Sequence, residues 1–306
     1  MRILIVASYN KKYYAPFIVE QVDALRQVGC EIDYFGIVGK GIKGYLRAFN
    51  ALRNKIKSFR PDIIHAHYGL SGLLANLQRC VPVVTTYHGS DINLPNVLRL
   101  SKIAMKLSAW NIFVSKRNVD IAQPKKNFIL LPCGVNLPNY VEGDISAIKE
   151  IINCNPNKKY ILFAGAFDNK VKNAKLAQDS VSLIKNAELI ELKGYTREQV
   201  TALFYAVDAF LMTSFTEGSP QVVKEAMACG CPIVSVDVGD VAERIEGIDG
   251  CYIAERTPQD IASKLQEVFS LKTRTKGRER IIELGLTNDL VAKKLVDIYE
   301  DVLKKN

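Results

Sequence analysis

Short, continuously apolar runs alternate with longer amphipathic stretches along the whole chain. In the first half the runs are ILIVAS (3–8), EIDYFGI (31–37), DIIHAH (62–67), VPVVTTYH (81–88), NIFVS (111–115) and NFILLP (127–132). Helical periodicity falls between them at 17–28, 42–59 and 97–108. Apolar strands without polar alternation, separated by helices, predict a parallel sheet covered on both faces. The stretch PCGVNLPNYVEGD (132–144) breaks the rhythm and reads as a linker. Strands then resume at 159–167, 187–194, 207–214, 231–237 and 250–254, with helices at 173–186, 196–206, 220–229, 240–246 and 258–270. The prediction is two doubly wound α/β domains, residues 1–140 and 155–287. Ligands are expected at the carboxyl ends of strands, in a cleft between the domains. A last amphipathic helix, 288–304 within the tail 288–306, is expected to pack back on the first domain.

Composition adds limits. With 306 residues, 48% hydrophobic and 24% charged, the chain is of the soluble globular kind and long enough for two cores. No apolar run reaches the roughly 18–20 residues that span a bilayer. MRILIVASYN is too short for a secretory core and reads as a buried first strand. Seven cysteines without a regular framework predict reduced thiols and a cytoplasmic location. Cys229 and Cys231 form only C-x-C, which suits core thiols better than zinc ligands.

Charge is uneven. Residues 1–140 hold 19 Lys and Arg against 7 Asp and Glu, a balance of +12, while the rest carries 22 against 25, or −3. Much of the excess sits at 40–60, on Lys40, Lys43, Arg47, Arg53, Lys55, Lys57 and Arg60. Ile42, Tyr45, Leu46, Phe49, Leu52, Ile56 and Phe59 alternate with them. Two readings are open: a core-facing helix with a solvated back, or a peripheral contact with an anionic membrane surface. No nucleic-acid-binding module accompanies the charge, so nucleic acid is not an expected partner.

The most informative stretch is FTEGSPQVVKEAMACGCPIVS (215–235). Ser219 suits an N-cap, Pro220 a first helical position and Gly230 the C′ position of a helix over 220–229. A loop from a buried strand to a helix N-terminus, with Gly218 permitting close approach, can hold an anion. The helical wheel buries Val222, Val223, Ala226 and Met227 and leaves Glu225 at the rim, where a carboxylate can accept two hydroxyl hydrogen bonds. Read alone, the two glutamates better suit the helix dipole and a solvated or salt-bridged role than a ligand site.

The stretch resembles the E-x7-E motif of retaining glycosyltransferases of the GT-B fold, family 4. Phe215, Glu217, Gly218, Pro220, Glu225, Ala226, Ala228, Gly230, Pro232, Ile233 and Val234 match it in order. The resemblance implies an acceptor-binding domain followed by a nucleotide-sugar domain. In that scheme Glu217 contacts the donor sugar, Glu225 the ribose, and Gly218, Ser219 and Pro220 the diphosphate.

Other blocks are similar to the same family. DIIHAH and HGSD imply that His88 lies beside the reacting sugar, that Asp91 holds its loop, and that His65 and His67 are structural. FAGAFDNKVKNAKLA (163–177) stands where the family shows G-R-x-x-x-x-K-G. Gly165 and Lys172 match, Ala166 replaces the arginine, and Lys170 is its expected substitute, although a lysine lacks the bidentate fork. Phe17 and Gln21 resemble an F-x-x-x-Q block. Lys11, Lys12, Tyr13 and Tyr14 are expected on the acceptor side by position, with Asp91 beside them. PCGVN (132–136) is similar to a P-N-G-V-D signature at the domain junction.

The expected function is transfer of a sugar from a nucleotide diphosphate sugar, with UDP or GDP as the nucleotide, to a hydroxyl of a glycan or lipid-linked acceptor. Neither a cofactor nor a divalent ion is expected, since no D-x-D motif occurs. The alternatives are a nucleotide-sugar 2-epimerase of the same fold and a non-catalytic sugar-binding protein with a degenerate donor site. Sugar, base, acceptor and oligomeric state are not readable from the residues.

Overall fold

The structure is a computed structural model that describes residues 1–39, 41–271 and 273–305, with the side chains of 41–43 outside the description. Lys40 and the side chains of Ile42 and Lys43, named above in the basic stretch, thus lie outside the described residues. The chain forms two compact units: Met1–Gly134 with Leu286–Asn306, and Val135–Gly285.

The first unit holds six parallel strands: β1 (Arg2–Ser8), β2 (Glu31–Ile37), β3 (Ile63–His67), β4 (Val83–Tyr87), β5 (Trp110–Phe113) and β6 (Phe128–Leu130). Their order is β2-β1-β3-β4-β5-β6. β1 and β3 are buried throughout or nearly so, which is why they read as unbroken apolar runs. One face of the sheet is covered by helix Pro16–Gln27 and by the C-terminal helix Asn288–Lys304. The latter buries Val291, Ala292, Leu295, Ile298, Tyr299 and Val302 against Ile18, Val22 and Leu25. The opposite face packs Leu4, Val6, Ile64 and Leu74 with Leu52 and Phe59.

The single helix expected over 42–59 is two, Gly41–Arg47 and Phe49–Phe59, broken at Ala48. Leu52 and Phe59 enter the core, and Phe49 and Ile56 pack against it. The apolar stripe of the second helix is therefore used inside the unit.

The second unit holds β7 (Lys159–Phe163), β8 (Ala187–Glu191), β9 (Ala209–Met212), β10 (Ile233–Val236) and β11 (Cys251–Ala254), all parallel, in the order β11-β10-β9-β7-β8. Its boundary differs from the one expected at 140. Residues 135–140 go with the second unit because Tyr205 Oη donates to the Pro138 carbonyl at 3.0 Å, Arg278 Nη1 donates to the same oxygen at 2.6 Å, and the Tyr140 and Tyr205 rings meet edge to face. The expected linker also ends sooner, since Glu142–Ile151 is a helix burying Ile145 and Ile148.

No helix among the described residues is long and apolar enough to cross a membrane.

Candidate functional site

In a doubly wound sheet, neighbouring strands whose crossovers leave in opposite directions open a crevice at their carboxyl ends. In the second unit those strands are β7 and β9. The segment after β7 passes Gly165 and turns through a short 3₁₀ helix, Lys170–Lys172. The Asn169 side chain caps that turn by accepting from the Val171 amide at 3.1 Å. A Cβ on Gly165 would stand 3.0 Å from Lys172 Cγ, so the glycine gives the lysine stem its path. The segment after β9 runs Thr213 to Pro220.

Several bonds tie the two segments together. The Thr213 hydroxyl has the carbonyls of Lys172 and Asn173 each at 2.9 Å, and the Phe215 amide donates to the Val171 carbonyl at 2.9 Å. Lys172 Nζ and Glu217 Oε1 complete the join at 2.8 Å, both side chains being largely buried. A third segment, after β10, supports Glu217 from below. Gly239, at φ +63°, lies so close that a Cβ there would meet the Gly218 carbonyl at 2.6 Å and Glu217 Cβ at 3.2 Å.

The helix that follows is Gln221–Ala228, one residue later than expected. Pro220 is its N-cap residue and no side chain caps it. Ser219 therefore does not cap; its hydroxyl oxygen is buried and makes no hydrogen bond to any described residue. Gly230 takes the C′ position at φ +63°, with the Cys231 amide donating to Ala226 and the Gly230 amide to Met227. The wheel needs one correction: Lys224 is buried, while Val222 is only half-buried. Glu225 lies at the rim and pairs with Arg197 at 2.9 Å. Arg197 starts the helix Arg197–Ala206, fixed by a capping box between Thr196 and Gln199. Sequence reasoning passed over Arg197, although T-x-x-Q at 196–199 is the signal that places it.

Lys170, expected beside Lys172, is exposed. A lysine three residues after Asn169 turns inward and one a single residue after does not, because the turn rotates them apart.

In the first unit the diverging strands are β1 and β3, and a cavity of about 560 Å³ opens at their carboxyl ends. Lys11, Tyr13, Tyr45, Tyr68, Asp91 and Leu94 are among its lining residues. Two acceptor-side expectations are corrected. Lys12 is exposed in a tight turn, at φ 62°, and it is Lys11 that lines the cavity. Tyr14 is stacked on Tyr34 at 4.6 Å and packs against the core instead.

Asp91 is buried and accepts from the amides of Gly69 (3.0 Å), His88 (3.0 Å) and Gly89 (2.9 Å). Burial pushes its pKa up to about 6, and those amides pull the other way. The carboxylate thus fastens the turn that carries His88. The His88 ring is stacked on His67 and flanked by Phe17 at 4.8 Å and Tyr68 at 4.6 Å.

Behind it runs a line of imidazoles. His67 Nδ1 and His88 Nε2 are 3.0 Å apart, so one of the two carries the shared proton. His65 lies between Tyr299 Oη at 2.6 Å and Thr86 Oγ1 at 2.7 Å. Burial lowers the His65 pKa to about 3, and burial with its two histidine neighbours lowers that of His67 well below the usual value. Both are held neutral, and the stacked, hydrogen-bonded His67 orients the His88 ring.

Residues 145–270 match the family described as Glycosyl transferases group 1, and residues 15–137 match Glycosyltransferase Family 4. An uncharacterized glycosyltransferase of Methanocaldococcus jannaschii is 29% identical over 88% of this chain and 79% of its own length. A D-inositol 3-phosphate glycosyltransferase of Mycolicibacterium gilvum is 24% identical over 72% of this chain, which spans only 61% of that protein. Among solved structures, the sucrose-phosphate synthase of Thermosynechococcus elongatus superposes with a TM-score of 0.81 at 16% identity, covering 100% of both chains. With each half matched by a glycosyltransferase family model, and the whole superposing on a GT-B structure, the chain belongs to the group 1 glycosyltransferases of GT-B fold.

Proposed function

We propose that the protein transfers a sugar, with retention of anomeric configuration, from a nucleotide diphosphate sugar to a hydroxyl of a glycan or lipid-linked acceptor. The observation that carries this reading is the Lys172–Glu217 pair at the carboxyl ends of β7 and β9, beside the partnerless Ser219 hydroxyl and the start of helix Gln221–Ala228. A lysine ammonium, a free hydroxyl and the first amides of a helix suit a diphosphate whose bridging oxygen gains charge as it leaves. Glu225, at the rim of the same helix, suits two vicinal ribose hydroxyls, and Glu217 the sugar beyond the phosphates. In the first unit His88, held by Asp91 and His67, would orient a donor hydroxyl near the anomeric carbon.

The bond from the anomeric carbon to the phosphate oxygen breaks, and the acceptor oxygen bonds to the same face. The acceptor proton passes to the departing phosphate. No side-chain base is needed, and Lys172 with the helix start supplies the positive charge, so this reading requires no divalent ion. The inositol-phosphate glycosyltransferase among its relatives supports a hydroxyl acceptor. The proposed location is the cytoplasm, including its membrane face.

The test is thermal unfolding with UDP, GDP, ADP and CMP, for wild type and Glu225→Ala. A ligand at about 100 times its Kd adds roughly 2.7 kcal/mol, worth several degrees for a chain of this size. One nucleotide should stabilise the wild type and not the variant. If none does, a non-catalytic binder becomes the better reading, one that Ala166 in place of the family arginine favours. Epimerised or free sugar nucleotide formed without acceptor would instead indicate an epimerase.

A further inference from the structure

Besides the stretch 40–60, the first unit holds a second excess of positive charge. Between residues 92 and 141 there are seven Lys and Arg (Arg99, Lys102, Lys106, Lys116, Arg117, Lys125, Lys126) and one carboxylate, Asp120. This segment carries +6 of the chain's +9. Its helix Pro95–Leu107 and the loop 123–127 enclose a cavity of about 430 Å³ at the amino ends of β5 and β6, the opposite end of the sheet from the acceptor-side cavity. Lys102, Lys106, Lys125 and Lys126 line it, over a floor that includes Met105 and Ala122. Gln123 and Asn127, both left-handed at φ 51° and 52°, bracket the loop that carries Lys125 and Lys126. All four lysines are exposed, and none pairs with a carboxylate among the described residues.

Apolar side chains stand beside this charge. Ile103 is 46% exposed, between Lys102 and Lys106 on the helix, and Phe128 and Leu130 are 39% and 41% exposed. Phe128 and Leu130 share one face of β6, the edge strand. The Phe128 ring meets Phe113 edge to face at 6.2 Å, and Phe113 clusters with Ala122 and Met105, so that face is the cavity's side of the sheet. Helix Phe49–Phe59 differs, since it turns its large apolar residues into the core.

We propose that this face docks on an anionic phospholipid bilayer, with headgroup phosphates among the four lysines and Ile103, Phe128 and Leu130 at the acyl boundary. Cations around a projecting apolar group suit that interface, where each surface lysine strengthens binding by a factor of about five. A free phosphate or a nucleic acid would engage the lysines and leave the apolar trio without a role. The proposal goes beyond the transfer reaction and does not depend on which donor is used.

The test is co-sedimentation of the full chain with vesicles of phosphatidylcholine alone and of a seven-to-three mixture with phosphatidylglycerol. Binding is expected only to the mixture and should fall with added salt. The Lys102→Ala/Lys125→Ala variant should bind about 25-fold more weakly, and Phe128→Asp at least about tenfold. Arg53→Ala/Lys57→Ala should match wild type. Circular dichroism checks that each variant folds; should the lysine variant fail, Phe128→Asp and the salt series decide. Equal binding to both vesicles, or equal binding by the lysine variant, overturns the proposal. So does full competition by millimolar inorganic phosphate, or an oligonucleotide bound with the same lysine dependence while vesicles are not.

Discussion

Lys172 Nζ and Glu217 Oε1 meet at 2.8 Å, closing a seam between the segments that leave β7 and β9. If the lysine serves the diphosphate and the glutamate the sugar, the two substitutions separate. Lys172→Ala should weaken nucleotide binding by roughly 1.5–3 kcal/mol, about 10- to 100-fold in Kd. Glu217→Gln should leave nucleotide affinity within a few-fold and cut transfer by about 100-fold. Calorimetry with the free nucleotide and a transfer assay separate them; a Glu217→Gln chain that turns over normally would refute the assignment.

Arg197 and Glu225 form a pair of lower consequence. The Arg197 side chain is 44% exposed, so solvent screens the contact and its net worth stays below about 1 kcal/mol. Arg197→Ala should barely shift Tm and change nucleotide affinity only a few-fold. Glu225→Ala should abolish the nucleotide-induced shift. Equal effects from both would mean that the arginine, and not the carboxylate, reads the ligand.

Gly239→Ala tests how tightly the glutamate loop is supported. Its φ of +63° costs an L-residue roughly 1–2 kcal/mol, and the new Cβ would press on the Gly218 carbonyl. A modest drop in Tm is expected, together with loss of transfer activity. Unaltered activity would show that Glu217 tolerates displacement.

Acid should weaken the first unit. Below pH about 6.5 the unfolded chain protonates His65 and His67. The folded chain resists until pH about 3 for His65 and also resists for His67, so their contribution is lost as pH falls. Asp91 opposes them: raised to about 6, it contributes stability below about 3.9 that is lost as pH rises through 6. Two groups against one leave a net slope of about 1.4 kcal/mol per pH unit between pH 4 and 6, stability rising with pH. Urea unfolding at intervals across that window reads it directly. A flat profile would place protonated imidazole in the folded state.

Tyr299→Phe should cost about 1–3 kcal/mol by leaving a buried His65 nitrogen unpaired. Restoration of full stability by His65→Leu on that background would not be expected, since Thr86 would then lose its own partner. Denaturant midpoints for the two single variants and the double variant settle the coupling.

Much of this architecture was legible in the residues. The eleven strands among the described residues all fall within one or two residues of the apolar runs at one end or both, because a strand buried on two faces leaves an unbroken apolar signature. The helices Gly69–Asn76 and Lys116–Ala122 left none: the first is apolar all round and the second shorter than two periods of the pattern. The glutamates, Lys172 and His88 were found by motif. Their supports were not, because Gly239 and Tyr68 act through proximity across the fold, which linear spacing does not encode. Ser219 was assigned to the right loop and the wrong task, since Pro220 moved the helix start past it.

The first unit is made of two pieces, Met1–Gly134 and Leu286–Asn306, with all of the second unit between them. During synthesis its β-sheet emerges ahead of the second unit, yet the helix that seals one face of it follows that unit out of the ribosome. The intervening unit, contiguous from Val135 to Gly285, can therefore complete its fold while Ile18, Val22 and Leu25 still lack their C-terminal cover. The order of folding should run opposite to the order of translation, and a chain arrested before residue 286 should carry one finished unit and one exposed apolar face that attracts chaperones.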